Sequence, residues 1–344
     1  MTFQKVKLKD IAKALRLSES TVSKALRDSH EISAATKERV QKQARKVNYR
    51  INHNASNLRS LRSFLIGVLV PDIKTDFMAQ AISGINSVAQ RNSSLVIMSE
   101  TSYSHLKELK QLGNLVSRSI DGLIMSPSCF GANNVYLKEL LKREMPMVIL
   151  NDVSPDINTC KVISNDYQCL FDGINRLINE GYKKFAYVSN AEQTSVNKER
   201  LKGFEDALSF RGINVSYKMT LIENKKTSAY DFESQLTRLL MNPDGPEVVV
   251  AGNELTSTIV LKVLSSLDVH GSKIKMLGVS SSEIAELFTP NISYLKQPAY
   301  EMGQVAAEML FDIINNDKPE TYKTVKLDSI ISWNLDSPLL QMQV

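Results

Sequence analysis

Between residues 18 and 27 the chain reads SESTVSKALR, with its polar members at helical spacing. Ser18, Ser20, Thr21 and Ser23 offer hydroxyls, Glu19 a carboxylate, and Lys24 and Arg27 cations. These are donors and acceptors suited to base edges and phosphates. A carboxylate can accept from cytosine N4, a serine hydroxyl can serve either kind of edge, and a lysine can reach guanine or a phosphate. A second set is dispersed: Asp72, Asp76, Phe77, Ser126, Asp152, Arg200, Asn253 and Ser280. Planar polar groups with one aromatic suit a sugar or similar polar metabolite. Catalytic and metal-ligating patterns are missing from the sequence. Cys129, Cys160 and Cys169 lie far apart with no C-x-x-C, and only four histidines occur, His105 and His270 in polar contexts. There is no G-x-G-x-x-G, no G-x-x-x-x-G-K-[ST] and no G-x-S-x-G. No metal and no cofactor is expected.

The elements that must hold these groups follow from periodicity. Residues 8–27 read as two short helices joined by a tight turn. Ile11, Ala14 and Leu15 share one face of the first, and Val22, Ala25 and Leu26 one face of the second. Ser18 stands where an N-cap belongs, with Glu19 in the first turn, where the helix dipole favours an acid. Ser33 caps a third helix whose Val40, Ala44 and Val47 face the pair. The result is a helix-turn-helix, whose second helix can enter a major groove. Residues 48–62, NYRINHNASNLRSLR, are basic and rich in small side chains.

At this point the sequence resembles the lac repressor/galactose repressor family of bacterial transcription factors. The carriers are KDIAKALxLSESTVSKAL at 9–26, ISAATKERV at 32–40 and NYRxNxxASNLR at 48–59. The resemblance implies that Glu19 and Ser20 are the main base readers, with Ser23 and Lys24 nearby. It implies that residues 50–63 form a hinge that becomes helical on DNA. There Asn52 and the small Ala55 belong to the contact surface, and Leu58 wedges into a minor-groove step. Arg16 stands where the family often has glycine or asparagine, and Ile51 where it usually has proline.

Charge agrees with this head. The 344 residues carry a formal +5, yet residues 1–62 hold fifteen Lys/Arg against five Asp/Glu, and the remainder is net acidic. A basic head on an acidic body suits a polyanion at one end. A 43% hydrophobic content supports a large core. No run approaches 18 apolar residues, and the N-terminus has alternating lysines in place of an apolar signal region, so a cytoplasmic protein with no membrane partner is expected.

From Phe64 short apolar runs alternate with helical stretches. FLIGVLV (64–70), SLVIM (94–98), DGLIMS (121–126) and MPMVIL (145–150) form one series of strands. KFAYVS (184–189), VSYKMTLI (215–222), EVVVAG (247–252) and KIKMLGVS (273–280) form another. Helices are expected over 77–90, 105–118, 198–210 and 228–240. The fold class is α/β: a three-helix head followed by two doubly wound parallel-sheet lobes, like a periplasmic binding protein. Such sheets bind ligands beyond the carboxyl ends of their strands, which is what selects the dispersed set above.

The resemblance extends through this body in LIGVLVPD, SRSIDGLIMSP, RLKGF and YLKQPAYEMGQVAAEML (294–310). It implies that Asp152 and Arg200 bind an effector. Two positions depart from it: Ser280 and Asn253 stand where relatives often have acids. Gln297 reads as a crossover residue between lobes. Trp333, Met145 and Met147 read as core. The expected domains are 1–49 (head), 50–63 (hinge) and 64–340 (effector binding and dimerisation). Lobe 1 takes about 64–163 and 295–324, and lobe 2 about 164–294 and 325–340. The expected function is sequence-specific regulation of transcription by a repressor on a pseudo-palindromic double-stranded operator, bound to the bacterial nucleoid, with a sugar-like effector between the lobes. A homodimer is expected, since eleven residues after Trp333 are too few for a heptad coil that pairs dimers. The alternatives are a ligand-independent DNA-binding protein, an enzyme on the same body, and an exported solute receptor. The missing motifs disfavour the enzyme, and the basic head disfavours the receptor.

Overall fold

The computed structural model describes residues 6–49, 62–128, 131–190, 194–213, 217–221, 229–267, 274–281, 292–316 and 321–333, and structural statements concern those. The hinge candidates Asn52, Ala55 and Leu58 lie outside them, as do Cys129 and His270. The chain divides into two compact units, Met1–Ser63 and Phe64–Val344.

The first unit contains α1 (Leu8–Leu15), α2 (Glu19–Leu26) and α3 (Ala34–Lys46). Its core is Ile11, Ala12, Val22, Ala25, Val40 and Ala44. Ala14, expected inside, is exposed. The buried stripe of α1 runs Leu8, Ile11, Ala12, Leu15 at i, i+3, i+4, i+7, and Ala14 lies off its edge. Side-chain caps start the next two helices: Ser18 Oγ accepts from Thr21 N at 3.1 Å, and Ser33 Oγ from Thr36 N at 3.4 Å.

The second unit has two six-stranded sheets. One has strand order β11-β5-β4-β3-β1-β2 and the other β12-β10-β9-β8-β6-β7. The strands are β1 (Leu65–Val70), β2 (Leu95–Glu100), β3 (Gly122–Met125), β4 (Met147–Leu150), β5 (Cys160–Ser164), β6 (Phe185–Asn190), β7 (Tyr217–Leu221), β8 (Val248–Ala251), β9 (Lys275–Val279), β10 (Ile292–Lys296), β11 (Thr324–Leu327) and β12 (Ile330–Ser332). All pairings are parallel except β10 with β12. The chain reaches β12 only after the helix Ala299–Asn316 and β11 of the other sheet, and it enters the edge beside β10 running the opposite way.

The connecting helices are α4 (Asp76–Arg91), α5 (His105–Ser117), α6 (Asn134–Lys142), α7 (Asp166–Asn179), α8 (Ser195–Phe210), α9 (Ala229–Leu240), α10 (Glu254–Ser266) and α11 (Ala299–Asn316). Apolar clusters fill both faces of each sheet. The chain crosses between lobes three times. The first crossing follows β5. The second follows β10, which still belongs to the second sheet. The third follows β11, which belongs to the first. The second crossing thus falls after Lys296 and the third after Leu327. Trp333 packs half-buried on the lobe 2 core with the Arg176 guanidinium 4.2 Å from its ring centroid. Met147 is core and Met145 packs against it.

Candidate functional site

In the head, α2 presents Glu19, Ser20, Lys24 and Arg27 as exposed side chains, with Thr21 and Ser23 half-buried beside them. The hydroxyls of Ser18, Ser20 and Thr21 form a cluster, Ser18 Oγ lying 2.8 Å from each of the other two. Arg27 Nη2 donates to Ser23 Oγ at 3.2 Å, and Lys24 is ion-paired with Glu31 on the exposed surface. Arg16 ends α1 with φ 54°, so the left-handed turn that the helix pair needs is made by an arginine. Around α2 the chain thus offers one carboxylate, a hydroxyl cluster tied into the helix cap and two cations, a set that can read bases and hold phosphates.

In the second unit a cleft of about 580 Å³ lies between the lobes. The structure brings all eight of the dispersed residues to its wall: Asp72, Asp76 and Phe77 after β1, Ser126 after β3, Asp152 after β4, Arg200 from α8, Asn253 after β8 and Ser280 after β9. They converge because they follow parallel strands, whose carboxyl ends all open on the same side of the sheet. Phe77 is the buried aromatic at the start of α4.

Asp152 bridges the lobes. Its Oδ1 accepts from the Ser195 N–H at 2.5 Å and from the Ser195 hydroxyl at 2.6 Å, and Val153 N donates to Ser195 Oγ at 2.9 Å. Burial pushes the Asp152 carboxyl above its ordinary range, against the lowering effect of the Ser195 bonds and of Lys198. Its Oδ2 is buried without a partner among the described residues. A second bridge is Gln80 Nε2 donating to the Ser281 carbonyl at 2.7 Å. Gln297, on the second crossing, donates to Asn151 Oδ1 at 3.1 Å and to Ser164 Oγ at 2.7 Å while lining the cleft.

Arg200 is fixed from behind. Its Nε and Nη2 each lie 2.7 Å from Asp166 Oδ2, and Nη1 donates to the Gly252 carbonyl at 2.9 Å. Asp166 Oδ1 in turn accepts from Ser329 Oγ at 2.6 Å, tying the arginine to the third crossing. Asn253 also works locally: it caps α10, accepting from Thr256 N at 2.9 Å. Asp72 accepts from Lys74 N at 3.0 Å and from the Tyr103 hydroxyl.

Sequence reasoning passed over Asp166, Tyr103 and Glu254. Asp166 follows β5 just as Asp152 follows β4, so the strand-end rule finds it once β5 is recognised. Glu254 starts α10 beside Asn253. Tyr103 lies on the loop after β2, and no sequence pattern marks it.

A helix-turn-helix unit on the same chain as a two-lobed binding fold with a polar cleft defines a DNA-binding transcriptional regulator rather than an enzyme. Comparison with known proteins gives the family. Residues 7–52 match the model for bacterial regulatory proteins, lacI family, and residues 174–331 match that for the periplasmic binding protein-like domain. Catabolite control protein A of Priestia megaterium is 27% identical over 323 residues, covering 91% of this chain and 93% of that protein. The ribose operon repressor of Haemophilus influenzae is 26% identical over 328 residues, covering 93% and 95%. The lac repressor dimer solved with operator and an anti-inducer shares the fold with TM-score 0.83 at 21% identity, over 95% of this chain and 98% of that one. The chain thus carries a DNA-binding domain of the lacI family at its head and a periplasmic-binding-protein-like domain in its body, and the relatives it matches are lacI-family repressors. Among the described residues no helix is long and apolar enough to cross a membrane.

Proposed function

We propose that this regulator is a repressor whose operator affinity is set by a small polar metabolite, a sugar or sugar derivative, held between the two lobes. The observation that carries the reading is the convergence of eight polar and aromatic residues on one interlobe cleft, in a chain that also presents a capped recognition helix. The effector contacts assigned are Asp72, Asp76, Phe77, Ser126, Asp152, Arg200, Asn253 and Ser280. On the DNA side, Glu19 and Ser20 read base edges, with Ser18, Thr21 and Ser23 around them. Lys24 and Arg27 hold phosphates, and Lys24 exchanges Glu31 for DNA. Residues 50–63 supply Asn52, Ala55 and Leu58 to a hinge that folds on the minor groove.

A homodimer working in the cytoplasm, on the nucleoid, completes the reading. Its two-fold axis matches a pseudo-palindrome. Support comes from exposed apolar side chains along the edge strand β2 and the adjoining α5: Leu95, Met98, Leu106 and Leu109. The name of the Haemophilus relative supports a sugar, since it is a ribose operon repressor.

The test is selection on randomised duplex DNA, with separate pools of sugars, sugar derivatives and unrelated polar metabolites. Recovery of a pseudo-palindrome that is retained less when one sugar pool is added is the expected result. Recovery of a preferred site that no pool affects would overturn the ligand-gated reading in favour of a ligand-independent DNA-binding protein. An effect from only the unrelated pools would overturn the sugar.

A further inference from the structure

The charge of the cleft wall narrows the effector further than its shape does. Its ionisable lining residues are Asp72, Asp76, Asp152 and Glu254 against Lys74 and Arg200. Arg200 is already committed: its side chain is 5% exposed and lies 2.7 Å from the buried Asp166. What remains is an excess of carboxylates, drawn from both lobes. Lys74 is exposed, and Lys198 acts on Asp152 from α8. Burial holds the Glu254 carboxyl above its ordinary range. The Ser281 N–H and Arg200 act against this, while Asp76 and Asp72 across the cleft add to it. Like charges in a partly desolvated cleft repel each other more than they would in water.

An independent feature points the same way. Asp152 is 4% exposed and lines the cleft, and only one of its two carboxylate oxygens is satisfied, by Ser195. Oδ2 is buried without a donor among the described residues, a state that is costly until a donor arrives. The carboxylates do not gather into a metal site either: no group of three metal-ligating side chains among the described residues could hold an ion. They are spread over the wall, as an organic cation with several polar groups requires.

Resting on the reading of this cleft as the effector site, we infer that the effector carries a protonated amine on a polyhydroxylated frame, as an amino sugar does. The ammonium lies between the Asp76 and Glu254 sides of the cleft, and a further donor meets Asp152 Oδ2. The same field disfavours phosphate esters and sugar acids, which would add negative charge to a wall that already has too much. A neutral sugar can hydrogen-bond there but leaves the carboxylates uncompensated. The neutral Asn253 and Ser280 do not make this cleft neutral, because Asp76 and Glu254 place acids elsewhere on its wall.

The experiment uses the full chain and a small-molecule extract of bacterial cells, divided at pH 7 on a cation exchanger into retained and unretained pools. Each pool is scored by the shift in Tm and by the change in operator retention. The expected result is activity in the retained pool. The purified active compound should then bind the Asp76→Asn, Glu254→Gln double variant at least tenfold more weakly than the parent. Its affinity for the parent should fall with added salt, as for any ion in an opposing field. Activity confined to the unretained pool would overturn the cationic effector while leaving ligand gating in place, and so would unchanged affinity in the double variant. If neither pool moves Tm or operator retention, the effector reading of the cleft falls, and this inference with it.

Discussion

Arg16 holds φ 54° at the end of α1, a backbone state that costs a non-glycine L-residue about 1–2 kcal/mol. Glycine adopts it freely, which makes the arginine informative: its side chain stands in the turn of a DNA-binding motif. Arg16→Gly is expected to stabilise the head by about 1 kcal/mol. If the guanidinium meets a phosphate, the variant also weakens operator binding and reduces the slope of log K against log salt by about 0.9. Thermal melting and titration at several salt concentrations read both effects, and a stabilised variant with an unchanged slope would remove the phosphate contact. Asp152 is a second single-residue case. A carboxyl whose pKa is raised on folding stabilises the fold while protonated. That contribution is full below its ordinary value of 3.8 and is lost as the pH climbs through the raised value. Relative to Asp152→Asn, the parent is therefore expected to lose Tm as the pH rises from 3.8 upward through the raised value. A Tm difference that stays flat with pH would show that the site does not disfavour the charged form.

Among the elements, the α4–α11 pair carries the tightest approach in lobe 1. A Cβ placed on Gly303 would lie 2.0 Å from the Ala81 carbonyl oxygen, and one on Gly84 would lie 2.1 Å from that of Tyr300. Two backbones are pressed together through two glycines, so Gly303→Ala must force the helices apart. A loss of about 1–3 kcal/mol is expected, seen as a lower Tm and an earlier denaturant midpoint. A variant as stable as the parent would mean that the pair separates without cost. Nothing local announces this contact, because its partners lie more than two hundred residues apart. The strands divide on similar grounds. β1, β3, β4 and β8 are buried on both faces and read as unbroken apolar runs, so their ends and the cleft residues beyond them were legible. β5 alternates, β11 and β12 are sheet-edge strands with little buried side chain, and none of the three yields an apolar run. Missing β5 hid Asp166, the residue that fixes Arg200. The head was the most legible part, since caps and stripe recur within twenty residues. Even there Ala12, not Ala14, completes the stripe.

At the scale of the molecule, DNA recognition and the cleft occupy separate compact units of one chain. Regulation then reduces to a coupling free energy between two binding equilibria. If the effector changes operator affinity by some factor, the operator must change effector affinity by the same factor, whatever route joins them. Couplings of this kind are commonly about 1–3 kcal/mol, or roughly 5- to 150-fold. The prediction is a closed cycle measured on the full chain at one salt concentration, because operator affinity alone varies steeply with salt. Operator Kd is measured with and without saturating effector, and effector Kd with and without saturating operator. The two ratios are expected to agree at every protein concentration tested. Ratios that agree only at high concentration would locate the coupling in dimer assembly, because ligand binding then draws on the association equilibrium as well. Agreement throughout would place it within an assembled dimer, with residues 50–63 as the segment through which the cleft acts on the recognition helices. Leu58→Ala separates these routes further. In the hinge route it should weaken specific binding far more than non-specific binding and shrink both ratios together, whereas a coupling carried by assembly alone would survive it.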